Sequence, residues 1–222
     1  MTKAAPRSLV LALTPRRGSY IWVTNVTGLL AGDDHCQWAA FCKSHYRYEK
    51  RVDDGGEALS RWMAEHDRLV VAREAELREA GWRVTVEDQN ALTVRGVATV
   101  AGKPDLVAIK GKTILISDAK GGARKHKYTW QVRTYLALYP LQYSEACRGK
   151  RLVGELVYPD GRLEVTLEPG DAARIFLQLK ATGSGPEPET TPSARECRYC
   201  DVGPCPDRVA LDVEAASSGG RF

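Results

Sequence analysis

Residues Gly102–Lys120 read GKPDLVAIKGKTILISDAK. Two runs of aliphatic and β-branched residues flank Lys110-Gly111-Lys112, the pattern of a β-hairpin. Yet each arm carries an aspartate near the open end, Asp105 and Asp118, and Lys120 follows the second. A type II′ turn at Gly111-Lys112, with glycine first, pairs Lys110 with Thr113 and sets Asp105 opposite Asp118. A turn at Lys110-Gly111 shifts the pairing by two and makes the acids diagonal neighbours. In both registers the acids share one face, as do Asp118 and Lys120. Opposed like charges destabilise a sheet. A divalent cation offsets them, since Mg²⁺ takes one or two carboxylates and leaves its other positions to water and substrate phosphate. A lysine beside it orients or deprotonates an attacking water, or stabilises charge on the phosphate. Spacing alone also admits a plainer reading, two surface aspartates at strand ends with a solvated lysine.

The whole chain of 222 residues carries a formal charge of +4 and 43% hydrophobic residues, enough for one domain with a normal core. Mild basicity permits a nucleic-acid partner without demanding one. No run approaches the ~20 apolar residues of a membrane span, so no membrane partner is expected. Leu9 to Leu13 is short for the core of a signal peptide, and Pro15-Arg16-Arg17 follows without a small-residue cleavage site. The segment reads as a first strand of a cytoplasmic protein. Three of the six cysteines cluster as Cys197-x2-Cys200-x4-Cys205, while Cys36, Cys42 and Cys147 are scattered. In a chain that is not secreted, clustered cysteines point to metal more than to disulfides.

Periodicity and punctuation predict strands at 8–13 and 19–24, then a helix within 26–47 carrying Trp38 and Phe41. After a loop at Asp53–Gly56 comes the longest helix, from Glu57 to about Ala80, ended by Gly81. Its apolar stripe is Leu59, Met63, Val70 and Leu77, and His66 falls on that stripe. Strands are expected at 82–87 and 91–99, then the opening hairpin, a break at Gly121-Gly122 and a helix over 126–139. A further hairpin over 151–167 turns at Pro159-Asp160-Gly161, Asp171 caps a helix to about 181, and 182–196 reads as a linker. The pattern is α/β, a central mixed β-sheet flanked by helices.

Taken in order, Gly102-Lys103-Pro104-Asp105, Asp118-Ala119-Lys120 and Gln131-Val132-Arg133-Thr134-Tyr135 resemble the PD-(D/E)XK nuclease superfamily, and within it the RecB-type branch. The resemblance spans roughly residues 36 to 205. Gln131 and Tyr135 are i and i+4 on one helix face, which agrees with it. The resemblance implies a restriction-endonuclease-like core and a metal-dependent deoxyribonuclease, most often an exonuclease on single-stranded DNA. Its metal, Mg²⁺ or Mn²⁺, is held by His66, Asp105, Asp118 and the backbone carbonyl of Ala119. Lys120 handles water or transition-state charge, and Gln131 and Tyr135 shape the substrate side. Glu87 is a candidate additional acid. Arg124, Lys125 and Lys127 form a basic cluster suited to a phosphate backbone. A structure-specific or double-strand endonuclease is the alternative enzyme, and a binding module with a dead site the alternative without catalysis.

Several RecB-type nucleases, the CRISPR-associated exonucleases and the AddAB nuclease domain among them, hold a [4Fe–4S] cluster with one cysteine before the core and three after it. By that resemblance Cys36, Cys197, Cys200 and Cys205 are the ligands, with Cys42 the alternative to Cys36 and Zn²⁺ the alternative metal. Gln37-Trp38 follows Cys36, where the family more often has Pro-Arg. All-thiolate sites suit either metal. The expected organisation is a nuclease core over 1–181, a linker and cysteine segment over 182–208 packing back on the N-terminal region, and a tail over 209–222 without fixed structure. The chain leaves no room for a helicase, so a motor, a recombination protein or a CRISPR adaptation protein would be a partner.

Overall fold

A computed structural model describes residues 13–51 and 56–209. Most of the strand expected at 8–13, the loop at Asp53–Gly56 apart from Gly56 itself, and nearly all of the expected tail lie outside the described residues. The N-terminal part runs β1 (Leu13–Pro15), β2 (Tyr20–Trp22), a 3₁₀ turn (Val23–Asn25), α1 (Thr27–Ala31), α2 (Gln37–His45) and β3 (Tyr46–Tyr48). The middle holds α3 (Gly56–Glu79), β4 (Arg83–Val86), a 3₁₀ turn (Glu87–Asn90), β5 (Leu92–Arg95), β6 (Thr99–Gly102), β7 (Leu106–Lys110) and β8 (Thr113–Ala119). Then come α4 (His126–Gln142), α5 (Ser144–Cys147), β9 (Arg151–Tyr158), β10 (Gly161–Val165), α6 (Asp171–Ser184) and α7 (Ala194–Tyr199).

The central sheet has the order β10-β9-β8-β7-β4, antiparallel except for the parallel pair β8–β9. It is a mixed sheet flanked by helices, the class expected. Its middle strands are covered on both sides, which explains their almost unbroken apolar runs. Side chains alternate across the pleat. Val107, Ile114, Ile116 and Leu156 face Trp130, Leu136 and Leu138 of α4. Leu106, Ala108, Leu115 and Val157 face Leu69, Val70 and Leu77 of α3. A smaller sheet, β2-β6-β5, and the pair β1–β3 flank this core.

Several expectations are corrected. The helix expected within 26–47 is two helices, because Gly32 takes a left-handed conformation (φ +73°) and ends α1. The strand expected at 91–99 folds back as the β5–β6 hairpin, turning at Gly96 and the exposed Val97. Leu59 and Met63, placed on the buried stripe of α3, are 45% and 52% exposed. A 24-residue helix is about 36 Å long, and only its C-terminal half covers the sheet. The helix at Asp171 is capped by Gly170 rather than by Asp171, whose carboxylate accepts instead from Glu168 N–H at 2.9 Å, and it continues to Ser184. Gly111 at φ +55°, with Lys110 paired to Thr113, selects the Gly111-Lys112 turn of the opening hairpin.

Candidate active site

That register decides the site. The last formal pair is Leu106 with Ser117, so the next residues outward, Asp105 and Asp118, stand opposite one another where the hairpin opens. Asp105 Oδ2 accepts from Ala119 N–H at 2.7 Å and contacts His66 Nε2 of α3 at 3.1 Å. Asp118 is 1% exposed. Its Oδ1 accepts from Gln131 Nε2 of α4 at 3.2 Å. Its Oδ2 forms an ion pair with Lys120 Nζ but makes no hydrogen bond of good angle. Gln131 also donates to Tyr135 Oη at 3.0 Å. Tyr135 is 2% exposed and lies against Gly102, where a Cβ would come within 2.6 Å of its ring. The i, i+4 pair on α4 therefore forms a buried relay that holds Asp118.

Electrostatics follow from burial and these partners. Burial holds the Asp118 carboxyl above the ordinary carboxylate range, against the pull of Lys120. The hydrogen bond to Asp105 raises His66 to about 8. Lys120 Nζ also lies 4.9 Å from the centre of the Tyr128 ring. Asp105 is thus held by His66 and the Ala119 amide, and Asp118 by Gln131 and Lys120. Among the described residues, no three His, Cys, Asp or Glu side chains are already grouped as a bound metal would hold them. The donor chemistry nevertheless suits a hard cation: two carboxylates face each other, and one buried oxygen has only the Lys120 ammonium as its partner.

Glu87 is not on a strand. It opens the 3₁₀ turn after β4, with an exposed side chain, and its φ of +38° is the one positive value among described non-glycine residues. Its N–H donates to the Asp105 carbonyl at 2.9 Å, so the strained backbone braces Asp105 from behind. Asn90, which the sequence did not single out, completes that brace. Its Nδ2 donates to the carbonyls of Thr85, Pro104 and Asp105 at 2.9, 3.2 and 3.3 Å. A second unexpected element lies on the α3 face. Arg73 grips Glu155 of β9 with two bonds of 2.8 Å, and Ser117 Oγ donates to the same carboxylate at 2.8 Å. Two signals pointed there: Arg73 lies two helical turns after His66, and Glu155 interrupts an apolar strand.

The four cysteines expected as ligands, Cys36, Cys197, Cys200 and Cys205, line one cavity of about 750 Å³. Arg124, Lys125 and Lys127 line it too. Cys42 sits behind, 0% exposed, packed with Trp38 and Val202, and burial pushes its thiol up to about 12. Two charged side chains shape this region. Glu196 Oε1 accepts from His35 and Cys36 N–H at 2.6 and 3.1 Å. Arg208 donates to the carbonyls of Cys197, Cys200 and Val202. Thiols from two distant segments opening on one space suit a thiophilic metal. Cys147 lies elsewhere, packed beside α4.

No protein-family model matches the sequence, and no curated protein matches it. Among solved structures, the fold is similar to that titled SSO0001, at 16% identity and a TM-score of 0.45, covering 84% of this chain and 85% of that one. It is also similar to an alkaline exonuclease (LHK-Exo) from Laribacter hongkongensis, at 13% identity and a TM-score of 0.43, covering 73% of this chain and 85% of that one. Among the described residues no helix is long and apolar enough to cross a membrane.

Proposed function

We propose that this chain is a metal-dependent deoxyribonuclease that hydrolyses phosphodiester bonds at the open end of the β7–β8 hairpin, acting on single-stranded DNA from an end. The observation that carries the reading is the state of Asp118. It is a buried carboxylate, directly opposite Asp105, whose Oδ2 is met by the Lys120 ammonium alone. Burying such a charge is costly, and a site that receives a cation accounts for the cost. Asp105 and Asp118, with His66 and the Ala119 carbonyl, would hold Mg²⁺ or Mn²⁺. When bound there, the ion supplies Lewis-acid charge to phosphate and water. Lys120 orients the attacking water or meets the charge that develops on the phosphate oxygens. Gln131 fixes the Asp118 carboxylate, and Tyr135, buried behind it, fixes Gln131. Arg124, Lys125 and Lys127 take backbone phosphates. Cys36, Cys197, Cys200 and Cys205 would hold a [4Fe–4S] cluster or Zn²⁺ as a structural staple.

The test is cleavage of end-labelled single- and double-stranded DNA with Mg²⁺, Mn²⁺ or EDTA. Metal-dependent loss of label by wild type, absent in Asp118→Ala and Lys120→Ala, is expected. Cleavage retained in either variant rejects the site, and no cleavage by wild type under any condition rejects the reading.

A further inference from the structure

The N-terminal half of α3 extends past the sheet with large apolar side chains in solvent. Trp62 is 41% exposed, although indoles of this size normally find cover. Its place is specific. Trp62 and His66 are i and i+4, with ring centroids 5.7 Å apart and planes inclined by 29°. His66 in turn contacts Asp105, so the indole forms the outer layer of a stack whose inner layer touches the Asp105 carboxylate. The segment leaving β8 runs beside it. A Cβ on Gly121 would lie 2.9 Å from the Trp62 carbonyl oxygen, and one on Gly122 would lie 3.6 Å from the indole Cδ1. Bulk at Gly121 would push this segment off the helix. The same segment carries Lys120 at the carboxylates, then Arg124, Lys125 and Lys127.

An exposed aromatic face thus flanks the Lys120 end of that segment, whose further cations, Arg124, Lys125 and Lys127, line the cysteine cavity. Single-stranded nucleic acid is held by that combination, with cations on the phosphates and an aromatic ring under a base, independent of sequence. An apolar protein partner would not need the cations, and a bare phosphate would not need the ring. We infer that Trp62 is a stacking platform for a nucleobase of the substrate strand, placing the adjoining phosphate at Asp105 and Asp118. The inference rests on the nuclease reading and adds a substrate subsite to it.

The experiment measures single-stranded oligonucleotide binding by anisotropy in an Asp118→Asn background, and cleavage in the otherwise wild-type protein. Trp62→Ala and Trp62→Phe are compared on intact DNA and on a series with one abasic nucleotide moved stepwise from the end. Trp62→Ala is expected to weaken binding about 5- to 150-fold, and Trp62→Phe to keep most of it. One abasic position should cost the Trp62-containing protein a similar factor and cost Trp62→Ala almost nothing. Unchanged binding in Trp62→Ala overturns the platform, as does a loss equal on intact and abasic strands. If metal-dependent cleavage persists in those cases, the nuclease reading stands and only the platform falls. If wild type neither binds nor cuts DNA, both fall together.

Discussion

Asp118 is the residue at which stability and the proposed activity oppose each other. Its pKa is raised in the folded chain, so its ionised form destabilises the fold once pH rises above the unfolded carboxylate value. Asp118→Asn removes that charge while keeping the shape and an acceptor for Gln131. Cleavage should fall to background while the melting temperature in EDTA at pH 8 equals or exceeds that of wild type; a lower one contradicts the account. His66 has the opposite sign. Its folded pKa, about 8, exceeds the ordinary ~6.5 of histidine. The His66–Asp105 contribution is therefore full below pH ~6.5 and lost as pH rises through about 8. In metal-free protein, the stability difference between wild type and His66→Ala should shrink over that window in pH-dependent unfolding. A metal must displace the His66 proton, so Mn²⁺ affinity measured by calorimetry should rise over the same window. That Asp105 and Asp118 share a face was legible from the period of two; that they stand directly opposite was decided by the turn at Gly111-Lys112. Asn90 and the strained Glu87 were not legible, because a residue that braces a backbone carbonyl from a neighbouring turn leaves no periodic trace.

At the scale of elements, α3 meets the sheet through its C-terminal half, yet His66 must reach Asp105 from the margin of that contact. The Arg73–Glu155–Ser117 network fixes the helix there. The pair is largely buried, with side chains 14% and 10% exposed. Breaking such a pair strands a charge, whereas replacing both partners by apolar groups is often neutral. Arg73→Met should therefore destabilise the chain by about 3–5 kcal/mol in denaturant unfolding, and Arg73→Met/Glu155→Met should recover most of it. A double variant as unstable as the single one contradicts the account. The sequence showed that α3 exists and how it ends. Its buried stripe was right at Val70 and Leu77 but ran too far toward the N-terminus through Leu59 and Met63, because apolar spacing does not say where the covering sheet stops.

For the molecule as a whole, the segment after α6 returns to the N-terminal helices. Lys43 pairs with Asp201 at 2.8 Å, Trp38 donates to Glu187 at 2.9 Å, and Glu196 takes the Cys36 amide. With the four thiols around one cavity, a bound metal would close a very long loop and restrict the unfolded chain. Cys197→Ala should lose bound metal in elemental analysis and melt at lower temperature; an unchanged melting temperature contradicts the staple. Cys36→Ala should also lose it. Cys42→Ala should keep the metal and cost only packing, since Cys42 packs with Trp38 and Val202 and does not line the cavity. Loss of metal in Cys42→Ala but not in Cys36→Ala would reverse that assignment.

What the sequence determined by itself was local and ordered: the hairpin and its candidate turns, the acids on one face, the i, i+4 pair on α4 and the cysteine spacing. These follow from backbone periodicity and turn chemistry, which act over a few residues. Tertiary structure alone decided which helix half is buried, which buried ion pair fixes α3, that Cys42 lies behind the other thiols and that Trp62 is left in solvent beside the acids. Those outcomes depend on where separate elements meet, and the burial that sets them belongs to no single stretch of chain.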